Sequence, residues 1–408
     1  MIRKDREYVL KAMAVGLVMA TNSMPAQNWM LTTAPNANWK AVAGSSDGTK
    51  LAAAVGGEAT AIGPICLSTN SGATWVLSTA PGKSWQSIAS SSDGVTLVAA
   101  ALGSIYTSTN SGSTWTNAVV PSVNWVSAAS SADGSRLVVA AGAFWLPARG
   151  PLYTSVDSGA TWTSNSVPLG YWRGVASSAD GLKLVAVNYQ PTANSYAVYT
   201  STNSGVTWAT NSLSSASFSC VASSADGTKL AVAGDSSRIY TSTNSGATWA
   251  PTMAPVEYYQ SIACSSDGVT IIAVTDFNHA STGPGPVYTS TDSGVTWVSN
   301  NVNGFFWQTA LSSADGGKLV AAGNYPFLGS RGAIYVLPPE VMLSGTLLSN
   351  NIVLSWPTNA TGFGLEENPD LTTTNWVTVT NPPALTNGNR RVLLPATNND
   401  NLFFRLKQ

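Results

Sequence analysis

Charged residues are scarce in this 408-residue chain, and histidine and cysteine are almost missing. Only 10% of the residues are charged, and 19 Lys+Arg against 20 Asp+Glu leave a formal net charge of −1. A nearly neutral chain without a basic run lacks the positive footprint that nucleic-acid binding needs. One histidine, His279, excludes any site of two histidines, and three distant cysteines fit neither a zinc site nor an even disulfide framework. The sequence therefore predicts no metal, no cofactor and no nucleic-acid partner.

Long apolar runs are missing as well, because no segment approaches the ~18 apolar residues that span a bilayer. A short apolar stretch, 12–20, follows a basic start with Arg3, Lys4, Arg6 and Lys11. This order is typical of a secretory signal peptide. We therefore predict a signal peptide over residues 1–26 and a mature chain without a transmembrane segment, located in the secreted fraction, the periplasm or at the cell surface.

What the chain does contain is an internal repeat. The tetrad Ser-Ser/Ala-Asp-Gly recurs seven times, with 40 to 48 residues between successive aspartates. An aromatic residue stands eight positions before each aspartate: Trp39, Trp85, Trp125, Trp172, Phe218, Tyr259 and Trp307. Each unit carries four short strand patterns separated by turns, which is typical of one β-propeller blade. The sequence predicts an all-β fold, with a seven-bladed β-propeller over residues 27–337.

A second motif fills the other half of each unit except the last. It reads Ser-Thr-Asn-Ser-Gly-Ala-Thr-Trp at 68–75, and its close copies end at Trp115, Trp162, Trp208, Trp249 and Trp297. The seventh unit lacks it, but Trp29 precedes Trp39 by ten residues, the offset that also joins Trp75 to Trp85. We therefore expect the N-terminal strand to complete the last blade. A ring closed in this way has no open edge, which favours a monomer.

This second motif resembles the Asp-box, or BNR repeat, of the sialidase-like superfamily. Four of the six copies carry Asn in place of Asp, which keeps the side-chain acceptor. The resemblance implies a propeller with each box in the hairpin between the third and fourth strands, on the face away from the ligand. The opposite face, called the variable face below, is expected to hold the irregular loops and the binding residues.

Residues 338–408 contain neither motif. Apolar and polar residues alternate in 352–356, 376–379 and 403–406, with turn-rich breaks between them. This pattern predicts a small antiparallel β-sandwich. The tail resembles short fibronectin-III-like C-terminal modules of exported bacterial proteins.

Candidate binding residues are those on the variable face that the repeat does not require. They are Arg149, Arg173, Tyr189, Arg238, Tyr258 and Arg331. Arginine and tyrosine are also residue types that anchor interfaces. Four propeller carboxylates lie outside both motifs, and we expect them to be solvated loop charges: Glu58, Asp235, Glu257 and Asp276.

Three functions are compatible with these features. The leading hypothesis is an exported, non-enzymatic propeller that binds a glycan or a surface protein on its variable face. The alternative is a sialidase-like glycoside hydrolase, whose two carboxylates would be Glu257 and Asp276. A further alternative is an assembly factor resembling the photosystem II assembly propellers.

Overall fold

The computed structural model shows an all-β protein with two compact units. One unit is Gln27–Pro339, and the other joins Met1–Ala26 to Glu340–Gln408. The structure describes residues 10–13, 16–19, 29–56, 62–142, 149–190, 195–213, 217–276, 284–300, 302, 305–325, 332–338, 343–348, 351–357, 364–369, 373, 375–386, 389–395 and 402–407. The secondary structure of these residues consists of strands, and no helix occurs among them.

Seven four-stranded antiparallel sheets make up the larger unit, and they are numbered here in chain order. The strands of sheet 1 are Trp39–Gly44, Leu51–Val55, Ile65–Ser68 and Val76–Leu77. Those of sheet 2 are Trp85–Ser90, Leu97–Ala101, Ser104–Ser108 and Thr116–Asn117. Those of sheet 3 are Trp125–Ser130, Leu137–Ala141, Leu152–Ser155 and Thr163–Ser164. The strands of sheet 4 are Tyr171–Ser177, Leu184–Gln190, Ser195–Ser201 and Ala209–Leu213. Those of sheet 5 are Cys220–Ser223, Leu230–Ala233, Tyr240–Ser242 and Ala250–Pro251. Sheet 6 is Tyr259–Cys264, Ile271–Thr275, Val287–Ser290, Val298–Asn300, and sheet 7 is Phe306–Ser312, Leu319–Asn324, Gly332–Leu337, Met30–Leu31.

The Asp-Gly tetrad forms the turn between the first and second strands of each sheet. In sheet 1, Asp47 Oδ1 accepts hydrogen bonds from Ser45 Oγ at 2.6 Å and from the Thr49 amide at 2.9 Å. Gly48 adopts a left-handed backbone, with φ of 64°, and its amide donates to the Ser45 carbonyl at 2.9 Å. A glycine is favoured here because it has no Cβ to strain this conformation. The aspartate is thus a structural cap.

The Ser-Thr-Asn-Ser-Gly-Ala-Thr-Trp motif forms the turn between the third and fourth strands. Asn70 Oδ1 accepts a hydrogen bond from the Thr74 amide at 2.8 Å, and Ser68 Oγ accepts one from the Gly72 amide at 2.9 Å. Trp75 Nε1 donates to the Gly72 carbonyl at 3.1 Å. Where aspartate replaces asparagine, as at Asp157, the Thr161 hydroxyl donates a hydrogen bond to the aspartate carboxylate. The side-chain acceptor therefore organises the turn in both forms.

The sheets form a closed ring through their first strands. Each first strand packs against the first strand of the next sheet, and that of sheet 7 packs against that of sheet 1. The backbone amide just before each Asp-Gly pair donates at 2.7–2.8 Å to the matching carbonyl of the next sheet. The bonds run through Ser46, Ser92, Ala132, Ala179, Ala225, Ser266, Ala314 and back to Ser46. This hydrogen-bond circle joins all seven sheets on the face that carries the turns.

The N-terminal strand lies where the sequence placed it. Met30 pairs with Val336 and Leu31 with Tyr335, so this strand is the outermost of sheet 7. Trp29 packs against the apolar cluster of sheets 6 and 7, which includes Trp307. Two segments distant in sequence therefore complete one sheet.

The repeated aromatic residues are packing residues. All seven have at most 1% of their surface exposed: Trp39, Trp85, Trp125, Trp172, Phe218, Tyr259 and Trp307. Six of them contact a tyrosine on the third strand of the same sheet, as Trp85 contacts Tyr106 with 5.7 Å between ring centroids. In sheet 1 that position is Cys66, and Trp39 lies instead 6.3 Å from the ring of Trp75.

The smaller unit contains two sheets. One comprises Ser344–Leu348, Asn351–Pro357, Asn389–Pro395 and Ala384–Thr386. The other comprises Gly364–Asn368, Val377–Thr378, Leu402–Lys407, Leu10–Met13 and Gly16–Met19. Leu354 and Trp356 of the first sheet share an apolar cluster with Leu365 and Phe404 of the second. The strands Leu10–Met13 and Gly16–Met19 fall within the predicted signal peptide. Leu10–Met13 pairs with the C-terminal strand Leu402–Lys407, and Gly16–Met19 pairs with Leu10–Met13, an arrangement that the sequence did not indicate.

Candidate functional site

A β-bulge interrupts the first strand in six of the seven sheets. The pairing with the second strand skips the residue that follows the buried aromatic. The skipped residues are Lys40, Gln86, Val126, Arg173, Gln260 and Gln308. A bulge bends its strand and redirects a side chain. Here all six of these residues line one cavity, together with Ser219 of sheet 5.

This axial cavity has a volume of about 520 Å³ and is lined by residues from all seven first strands. Leu102, Asn124 and Gly142, which lie in connections at the variable face, complete its wall. Since the hydrogen-bond circle lies at the other end of these strands, the cavity belongs to the variable face. Its volume matches that of ordinary ligand pockets.

Two cations that line the cavity, Lys40 and Arg173, interact electrostatically with two carboxylates, Asp276 and Asp235. Burial raises the pKa of Asp276 to about 6; the positive charge of Lys40 opposes that rise, and the negative charge of Asp235 adds to it. Burial also raises the pKa of Asp235, against the charge of Arg173. The pKa values of Lys40 and Arg173 are lowered by the same desolvation. Two cations and two carboxylates therefore balance one another.

Amide side chains supply much of the remaining polarity. Gln86, Gln260 and Gln308 line the cavity, and Lys40 Nζ donates to Gln308 Oε1 at 3.3 Å. An amide both donates and accepts hydrogen bonds. The wall can therefore bind an uncharged chain of alternating donors and acceptors.

A row of three tyrosines lies beside the cavity on sheet 4. Tyr171, Tyr189 and Tyr196 are directly paired across the first three strands, so their side chains point to the same face of the sheet. The ring centroids of Tyr171 and Tyr189 are 6.3 Å apart, and those of Tyr189 and Tyr196 are 4.9 Å apart. All three rings are half-buried. Arg149 lies over Tyr171, with its Cζ 5.8 Å from the ring centroid.

The structure brings together three of the six predicted binding residues. Arg173 lines the axial cavity, and Arg149 and Tyr189 belong to the tyrosine row beside it. Arg238 is exposed, and its guanidinium donates to the Ala254 carbonyl of its own sheet at 3.2 Å.

The other two predicted residues do not join that group. Tyr258 is half-buried, and its carbonyl accepts a hydrogen bond from the Asp276 amide at 3.1 Å. Arg331 lies outside the described residues, as do Glu58 and His279.

The predicted carboxylate pair is divided between two environments. Glu257 is buried with 7% exposure, and its Oε1 accepts a hydrogen bond from the Tyr288 hydroxyl at 3.2 Å. The electrostatic partners of Asp276 are Lys40 and Asp235. The expectation of a solvated loop charge is therefore wrong for Glu257. The acidic neighbour of Asp276 is Asp235.

Sequence reasoning missed Lys40 and the three glutamines because it searched the loops. These residues occupy first strands, where the repeat is otherwise regular. The signal was available, because the position after each aromatic varies as Lys, Gln, Val, Arg, Ser, Gln and Gln, whereas the next position holds small residues throughout: Ala, Ser, Ser, Gly, Cys, Ser and Thr. Variation at one position of a regular repeat thus marked the cavity wall.

Two further observations concern other kinds of site. Among the described residues, no group of three or more His, Cys, Asp or Glu side chains is placed to hold a metal ion. Within the same part of the chain, no helix has the length and apolarity needed to cross a membrane.

The chain is similar to solved β-propellers. No family model and no curated protein matches it. A structure of YCF48 bound to D1 peptide shares 15% identity at a TM-score of 0.56, covering 78% of this chain and 99% of that one. YCF48 from Cyanidioschyzon merolae shares 13% identity at a TM-score of 0.56, with 78% and 100% covered. A chain of the mitotic checkpoint complex shares 12% identity at a TM-score of 0.59, with 81% and 99% covered. These similarities confirm the β-propeller fold.

Proposed function

We propose that this chain is an exported, non-enzymatic binding propeller whose axial cavity receives an extended polypeptide segment of a partner protein. The observation that carries the proposal is the 520 Å³ cavity, into which six bulged first strands direct a side chain each. Residues 1–26 act as its signal peptide, and their removal on export takes the strands Leu10–Met13 and Gly16–Met19 out of the smaller unit. The protein then works in the secreted fraction, the periplasm or at the cell surface. It is a seven-bladed Asp-box propeller of the sialidase-like superfamily, followed by a fibronectin-III-like sandwich.

The chemistry of the cavity wall supports a polypeptide as the ligand. A peptide backbone presents alternating N–H and C=O groups, which glutamine amides can pair in both directions. The cavity does not require a charged ligand, because the charges of Lys40 and Arg173 are offset by those of Asp276 and Asp235. The similarity to YCF48 bound to D1 peptide adds that a propeller of this fold binds a peptide. An assembly or docking role follows from such binding.

The glycoside-hydrolase alternative is supported by a different observation. A general acid must keep its proton to a higher pH than an ordinary aspartate, and Asp276, the electrostatic partner of the lining residue Lys40, has a pKa raised to about 6. Its carboxylate partner would then be Asp235 rather than Glu257.

A peptide panel and a glycan array, tested in parallel with fluorogenic glycosides, distinguish these functions. Lys40→Met should weaken peptide binding about tenfold, because Lys40 lines the cavity. The matched control is Lys50→Met, whose amine bonds to the Asp93 carbonyl at the opposite face and which should leave binding unchanged. Binding to glycans without peptides would overturn the assignment of a polypeptide ligand. Glycoside hydrolysis that Asp276→Asn abolishes would establish the enzyme instead.

A further inference from the structure

Sheet 4 differs from every other described sheet at its variable-face end. Its second and third strands have seven residues each, Leu184–Gln190 and Ser195–Ser201, and its fourth has five, Ala209–Leu213. The box turn and the Asp-Gly turn fix the opposite ends of these strands, so the extra residues extend toward the variable face. Tyr189 and Tyr196 lie in that extension.

The resulting tyrosine row runs outward from the axial cavity. Tyr171 is on the innermost strand, Tyr189 on the second and Tyr196 on the third, where it pairs with Leu213 of the outermost strand. Arg173, which follows Tyr171 by two residues, lines the cavity and interacts electrostatically with Tyr189 and Tyr196. The cavity and the row are therefore continuous parts of one surface.

One of these tyrosines also contributes to packing, because Tyr196 lies against the apolar cluster shared with sheet 5, with its ring centroid 6.4 Å from that of Phe218. None of the three is part of the recurrent aromatic pair of sheet 4. Its core aromatic is Trp172, which is buried and contacts Tyr199, the pair that recurs in the other sheets. Tyr171, Tyr189 and Tyr196 are additional aromatic residues that remain half-buried. Three adjacent, partly accessible rings form a platform on which flat apolar groups can stack.

The charges and hydrogen-bonding groups around the row limit the kind of ligand. At its inner end, Arg173 and Asp235 offset each other's charge, so an uncharged ligand is favoured. The guanidinium groups of Arg173 and Arg149 supply only hydrogen-bond donors, which suits a ligand rich in carbonyl acceptors. A polyproline II helix presents flat pyrrolidine rings together with carbonyls that have no internal partner.

We infer that the row of Tyr171, Tyr189 and Tyr196 is a docking surface for a proline-rich stretch of the partner polypeptide, adjoining the segment that enters the axial cavity. The inference rests on the proposed function and specifies the ligand of that surface. A polyproline II helix is already ordered before binding, so docking it costs little conformational entropy.

The test is calorimetric titration of the full chain with a blocked ten-residue polyproline peptide, a Gly-Ser peptide of equal length and cellohexaose. Polyproline should bind, and Tyr189→Ala should weaken that binding about tenfold, whereas Tyr189→Phe should retain it within about threefold because the ring remains. The matched control is Tyr325→Ala, a tyrosine of sheet 7 that is 40% exposed and stacks on Phe305 at 4.3 Å. Thermal melting of each variant verifies that it folds.

Each outcome supports or overturns a distinct statement. Equal binding of polyproline by the wild type and Tyr189→Ala, or no binding of polyproline, overturns the tyrosine row as its docking surface. If other peptides still bind and depend on Lys40, the proposed function survives that result. Binding of cellohexaose with dependence on Tyr189, and no binding of any peptide, overturns both and assigns the row to a glycan.

Discussion

Ring closure by the N-terminal strand can be tested with two matched tryptophan substitutions. Trp29 and Trp115 occupy equivalent positions, because Trp115 closes the box of sheet 2 and Trp29 holds the same place in sheet 7, which lacks a box. Each packs against the apolar cluster between two sheets. Both are half-buried. Trp115 Nε1 also donates to the Gly112 carbonyl at 3.1 Å, whereas Trp29 Nε1 is buried without a hydrogen-bond partner in the described structure.

The expected costs follow from these contacts. Truncating a fully buried tryptophan to alanine costs about 3–5 kcal/mol, so a half-buried one should cost about 2 kcal/mol. Trp29→Ala should therefore lower the free energy of unfolding by about 2 kcal/mol. Trp115→Ala should lower it by about 3 kcal/mol, since a hydrogen bond worth about 1 kcal/mol is lost as well.

Urea unfolding followed by far-ultraviolet circular dichroism measures both values, and thermal melting should shift by about 2 °C per kcal/mol. Deletion of residues 27–34 should destabilise the protein further, because it also removes the pairing with Gly332–Leu337. The closure would be refuted by a Trp29→Ala variant that unfolds at the wild-type urea concentration while Trp115→Ala is destabilised.

Three other predictions concern single side chains. Asn110→Ala should lower the free energy of unfolding by about 0.5–2 kcal/mol, because Asn110 Oδ1 accepts a hydrogen bond from the Thr114 amide at 2.9 Å. Urea unfolding measures this loss, and calorimetric titration should show that ligand binding on the opposite face is unchanged. The folded-state pKa of Asp276 is about 6 against an ordinary 3.8, so its ionisation is disfavoured by folding. The free energy of unfolding of the wild type, relative to that of Asp276→Asn, should thus be greatest below pH 4. It should fall by up to about 3 kcal/mol as the pH rises through 6, and urea unfolding across this pH range measures the fall. Burial raises the pKa of the Cys220 and Cys264 thiols to about 12, so a thiol reagent at pH 8 should label them slowly until the protein is unfolded, and rapid labelling of the native protein would contradict their placement.

Local spacing made the repeated parts of the fold predictable. The interval from each aromatic residue to its Asp-Gly turn defines a strand of fixed length, and the box defines the next hairpin, so the propeller could be derived from positions alone. The offset from Trp29 to Trp39 even located the strand that pairs with Gly332–Leu337. Such features need no knowledge of how the sheets pack against one another.

The candidate site was less predictable because it depends on bulges and on contacts between sheets. An alternating strand pattern does not reveal that Lys40 or Gln308 is the extra residue of a bulge. The proximity of Asp276 to Asp235 and Lys40 joins residues of three sheets, which spacing along the chain cannot indicate. Likewise, the burial of Glu257 against Tyr288 joins the connection between sheets 5 and 6, where Glu257 pairs with Ser237, to the third strand of sheet 6.

The Asp-Gly turns also bear on how the protein ages chemically. In an unfolded chain, Asp-Gly is prone to cyclise when the glycine nitrogen attacks the aspartate carboxyl carbon, which converts the residue to isoaspartate. Here the Gly48 amide is engaged with the Ser45 carbonyl, while Ser45 Oγ and the Thr49 amide hold the Asp47 carboxylate. The same arrangement recurs at the other six turns, so the folded ring shields seven vulnerable bonds at once. The hydrogen bonds that shape the turns of the ring therefore also slow its chemical damage.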